Sequence, residues 1–114
     1  MVDERIEARL TELRTMSNDF ARAYAQRNFL EELKKTKIAV LMKQAEVEGH
    51  KSAAAQEREA RASDEYVELL VGLQEATEQS EKLRWHLEIA KMNVQIWQTK
   101  ESTKRMELQV YGRT

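Results

Sequence analysis

The feature that most constrains this chain is a seam of residues in its C-terminal half, spaced alternately by three and four. It runs Tyr66, Leu69, Leu73, Ala76, Ser80, Leu83, Leu87, Ala90, Val94 and Trp97, and only Ser80 is polar. A step averaging about 3.5 residues holds one narrow stripe against a neighbouring helix over many turns. A strand would need alternation by two instead. The segment is therefore expected to be one long helix with a partner helix along the stripe.

Little in the chain opposes continuous helix. Its 114 residues include no proline and only Gly49, Gly72 and Gly112, and those two residue types are the costliest in a helix interior. The absence of cysteine excludes a disulfide framework, a thiolate metal site and a cysteine nucleophile. No apolar run approaches the roughly 18 residues of a membrane span, and the acidic N-terminus does not resemble a signal peptide. A soluble, cytoplasmic protein without a membrane partner is expected.

Local signals divide the chain into three helices of a single helical domain. Asp3 can cap a long helix over about 3–48, with Glu4 and Glu7 at the positive end of its dipole. Its apolar stripe is Ile6, Leu10, Leu13, Met16, Phe20 and Tyr24, then Ile38, Met42 and Ala45 after a polar middle. Gly49 and His50 supply a C-cap and turn. Ser52 can cap a short alanine-rich connector helix over about 53–61, and Ser63 a second long helix over about 64–110. The expected fold class is all-α: a long antiparallel helical hairpin, coiled-coil-like, with a short connector helix, forming an oligomer.

Charge patterning supports the antiparallel arrangement. Residues 57–81 carry eight acids against Arg58 and Arg61, whereas residues 22–43 carry six bases against Glu31 and Glu32. With equal arms, facing residue numbers sum to about 112. Lys34 then falls near Glu78, Lys37 near Glu75, Lys43 near Glu68, and the acidic N-terminus near Lys100, Lys104 and Arg105. Such pairs are individually weak but jointly oppose the parallel alternative.

A hairpin buries one face of each long helix, and here each shows a second apolar face. On the C-terminal helix it is Trp85, Ile89, Met92 and Ile96, continuing through Thr99, Thr103, Met106 and Val110; on the N-terminal helix it is Phe29, Leu33, Val40 and Val47. The connector alanines are expected to cover this face only near the hairpin tip. Trp85, Ile89, Met92 and Ile96 are the expected homo-oligomer interface.

Candidate chemistry is sparse. Glu46 and His50 stand four apart, but nothing supplies the further ligands of a zinc site, and His50 suits the last carbonyls of its helix. His86 sits beside the seam, one turn after Lys82, and reads as solvated. No glycine-rich phosphate loop, serine nucleophile elbow or H-E-x-x-H motif occurs. No catalytic residue, cofactor or metal is expected, and the chain is not expected to be an enzyme. Arg84, Lys91, Lys100, Lys104 and Arg105 accompany Trp85, Trp97 and Tyr111, a mixture able to grip single-stranded nucleic acid by phosphate contact and stacking. The plainer account assigns both tryptophans to packing.

The segment KLRWHLEIAKMNVQIWQTKESTKR at 82–105, with AAAQEREARASDEY at 53–66, resembles a group of small helical bacteriophage proteins of unknown activity, encoded near single-strand-annealing recombination genes. The resemblance covers about residues 20–108. Where that group has arginine after the tryptophan, this chain has Gln98, so no basic contact transfers there. The resemblance implies a non-enzymatic phage accessory in DNA recombination or replication, binding single-stranded DNA or its coating and annealing proteins in the host bacterial cytoplasm. The alternative from the residues alone is a coiled-coil protein–protein adaptor or inhibitor with no nucleic-acid binding.

Overall fold

The computed structural model describes residues 4–112, which form three helices: α1 (Glu4–Val47), α2 (Ala53–Ala62) and α3 (Asp64–Tyr111). α1 and α3 pack antiparallel with α2 as connector, the arrangement expected of two seams joined by a turn. Asp3, the expected first cap, lies outside the described residues.

Each junction closes through the residue types that invited it. After α1, the His50 N–H donates to Ala45 O at 3.0 Å and the Gly49 N–H to Glu46 O at 3.1 Å. This pair of bonds turns the chain through a left-handed residue, and Gly49 supplies it at φ 109° without the penalty a Cβ would bring. The Ala55 N–H donates to Ser52 Oγ at 3.1 Å. Ser63 serves both sides of its corner: its hydroxyl donates to Ala60 O at 2.8 Å and accepts from the Tyr66 N–H at 3.2 Å. These bonds satisfy backbone groups that helix ends leave open.

The chain forms two compact units, one from residues 21–81 and the other from the segments up to 20 and from 82 onward. The 21–81 unit is built around Leu41 of α1, Ala60 of α2 and Tyr66 of α3, with Ile38 and Met42 packed against them. In the other unit Leu13 and Met16 of α1 share one groove with Ala90 and Val94 of α3, and Leu87 is buried.

The α3 seam is realised position by position. All ten seam residues are buried or half-buried, and Tyr66, Leu73, Ser80 and Leu87, spaced by seven, are the deepest. Along α1 the stripe departs from expectation. Leu10 and Tyr24 are exposed, and from Phe20 the half-buried line steps by three to Ala23, then through Arg27, Leu30, Lys34 and Lys37 to Leu41. The polar middle is therefore part of the seam. Long basic side chains lay their methylenes along it and carry their charges to its edge. There the Arg27 guanidinium lies 3.4 Å from Glu81 and the Lys37 ammonium 2.6 Å from Glu65.

These contacts also correct the register. Facing numbers sum to about 107, as in Leu41 with Tyr66, rather than 112, a slide of roughly 8 Å along the helices. Consequently Lys37 pairs with Glu65 and not Glu75, and Lys34 lies 3.8 Å from Glu31 of its own helix rather than near Glu78. The cause is α2. Instead of covering the second face at the tip, it packs on the seam side of the last α1 turns, where Ala60 is 1% exposed. Gln44, Ala45 and Glu48 there line one depression with Glu59, Ala60 and Ser63. α1 must overrun the start of α3 to receive it. Val40 and Val47 remain exposed, the latter at 84%.

Candidate functional site

With the seam occupied on one side of α3, the opposite side is left bare. Trp85, Ile89, Met92 and Ile96 are each between 51% and 57% exposed. Successive residues of a helix turn by about 100°, which places all four on one face, with Met106 and Val110 further along it. The sequence singled out this row, and the structure leaves it uncovered within the chain. Met92, Ile96, Thr99 and Lys100 line a shallow depression along it with Gln95.

The shifted register adds a second consequence. Glu4 of α1 comes level with about residue 103 of α3. Beyond that level α3 has no α1 residue beside it among those described, and Met106, Leu108, Val110 and Tyr111 are all exposed. Further apolar exposure at Val67, Leu70 and Val71 was not anticipated. In the sequence the spacing of the row continues backwards from Trp85 through Glu78 and Gln74 to Val71 and Val67, which is the signal that could have found them.

The five candidate basic residues do not converge. Arg84 and Lys91 lie on one flank of the apolar row, Lys100 and Lys104 on the other, and Arg105 turns toward the seam side. Lys91 lies 3.1 Å from Glu88, Lys104 lies 3.6 Å from Glu101, and the Arg84 guanidinium sits 4.9 Å from the centre of the Trp85 ring. The expected pairing of the acidic N-terminal segment with this end falls partly on Asp3, outside the described residues. Lys100 shares a groove with Arg9, Asn93, Ile96 and Trp97. Arg9 is the residue that sequence reasoning missed, because the groove joins two helices and no spacing within either one marks it. A second groove is lined by the apolar Leu13, Met16, Ile89, Ala90 and Val94 together with Arg9, Glu12, His86 and Asn93.

His50 meets the last carbonyls of α1 as expected. Its backbone N–H, not its ring, satisfies the end of α1, and its Nε2 stands 4.0 Å from Glu59 of α2. Its carbonyl accepts from Gln56 Nε2 at 2.9 Å, so the residue ties α2 to the turn. Among the described residues no group of three or more His, Cys, Asp or Glu side chains could hold a metal ion. Among the same residues no helix is long and apolar enough to cross a membrane.

Fold and surface together define an antiparallel helical hairpin with one uncovered apolar row. No protein-family model, no curated protein and no solved structure matches the chain.

Proposed function

We propose that this protein is a non-enzymatic accessory in phage DNA recombination or replication, acting by association with single-stranded DNA or with a protein that coats or anneals it. The supporting observation is the uncovered row from Trp85 to Ile96, since apolar side chains left facing water mark association surfaces. The phage context rests on the resemblance of residues 53–66 and 82–105. Direct contact with a strand would use the groove beside Trp97, which Arg9 and Lys100 both line, and then Lys104, Arg105, Lys91 and Arg84.

The alternative is a coiled-coil adaptor or inhibitor that binds only protein. It is favoured by Lys91 and Lys104 already pairing with acids of their own helix. A labelled single-stranded oligonucleotide, bare or precoated with a single-stranded-DNA-binding protein, separates the readings when titrated at about 50 and about 200 mM salt. Four phosphate contacts would weaken bare-strand binding about fifty-fold across that interval. Binding to the coated strand alone assigns the row to the coating protein. Binding to neither leaves the adaptor reading.

A further inference from the structure

The uncovered row on α3 is itself a heptad seam. From Trp85 through Ile89, Met92 and Ile96 to Met106 and Val110, its steps alternate between four and three. We infer that it pairs with the same row of a second copy of this chain, antiparallel, with facing residue numbers summing to about 195. This rests on the reading of the row as an association surface, and names its occupant.

That register matches the row to itself in shape. Trp85 faces Val110, Ile89 faces Met106, Met92 faces Thr103 and Ile96 faces Thr99, so bulky residues oppose small or flexible ones. Parallel pairing opposes Trp85 to Trp85 and leaves two layers of threonine on threonine. The flanks agree in charge. His86 comes level with Glu107, Lys100 with Asn93 and Glu88 with Gln109, so none of these flanking pairs sets like charges together.

Area and helix length point the same way. The six apolar residues, at their observed exposures, present roughly 700 Å² per copy, close to the ~800 Å² each partner gives to a stable specific interface. α3 beyond about residue 103 has none of the described α1 residues alongside, so its apolar residues there are left without packing from α1 among those described. The second copy covers Met106 with Ile89 and Val110 with Trp85.

The chain contains no cysteine, so introduced thiols report on pairing directly. One preparation carries Ile89→Cys, another Met106→Cys, and both are oxidised mildly, alone and mixed. The mixture should give a covalent dimer that neither preparation gives alone. The unsubstituted protein should have twice the 13.4 kDa mass of one chain, and Ile89→Asp with Ile96→Asp should halve that mass without loss of helicity. Disulfides formed as readily by each preparation alone would mean parallel pairing and overturn the register. A single-chain mass with no disulfide in the mixture would overturn self-pairing altogether. Neither result touches the accessory function, which the coated-strand titration tests separately and which a monomer with a bare row could still perform.

Discussion

Replacing Ser80 by alanine should stabilise the protein. Ser80 stands on the deepest row of the α3 seam, is 1% exposed, and its hydroxyl has no hydrogen-bond partner among the described residues. A buried hydroxyl left without a partner costs roughly 1–3 kcal/mol. Alanine removes that cost and adds a few tenths of a kcal/mol in helix propensity. Two effects oppose the gain. The space vacated by one oxygen forfeits some dispersion contact. The hydroxyl can also swing back onto the carbonyl one turn earlier, as the Thr77 hydroxyl does onto Leu73 O at 2.8 Å.

The net expectation is about 1 kcal/mol of stabilisation, or about 3–6 °C in Tm for a chain of this size. Urea denaturation should show a higher midpoint with an unchanged slope. Protein concentration must be held fixed, because a dimer's apparent stability depends on it. Ser102→Ala is the control: Ser102 is an exposed α3 residue, and its replacement should yield only the propensity increment. The reasoning fails if Ser80→Ala lowers the midpoint, or raises it no more than Ser102→Ala does.

Two further predictions test the register. Lys37→Glu should cost at most about 1 kcal/mol, since both partners of the pair with Glu65 are partly solvated. A double-mutant cycle should find coupling to Glu65→Lys and none to Glu75→Lys. Paired cysteines at Leu13 and Val94, which share a groove, should close a disulfide within one chain. A pair at Leu13 and Thr99, expected to face each other if numbers summed to 112, should stay reduced, being about 7 Å further along the helix.

The parts of the fold that were legible in the sequence are those governed by one helix at a time. The α3 seam could be read because its spacing encodes a face directly. Ser52, Ser63 and Gly49 could be read because their bonds reach no further than one turn. The register could not, because it depends on where α2 comes to rest, and a ten-residue helix offers several alanine faces. Which of them is buried was decided by Ala60 meeting Leu41 and Tyr66. The α1 stripe was misread for a related reason. Arg27, Lys34 and Lys37 look like solvated surface when only their charged ends are considered, whereas their stems occupy the seam.

The candidate surface divides along the same line. Trp85, Ile89, Met92 and Ile96 were visible as a row because periodicity within α3 defines them, and their exposure follows once the opposite side of the helix is occupied. The groove holding Arg9 and Lys100 was invisible because it joins two helices whose register was unknown. That asymmetry bears on function. A surface legible from one helix can be self-complementary without any partner having shaped it, as this row is. Bases spread around a helix and paired with local acids acquire a direction only when an assembly brings copies together. An antiparallel dimer about α3 would set two grooves beside Trp97 on either side of one axis. A chain whose bases are dispersed could therefore grip a strand as a pair, and the salt dependence of the dimer-breaking Ile89→Asp, Ile96→Asp variant should then be shallower than that of the parent protein.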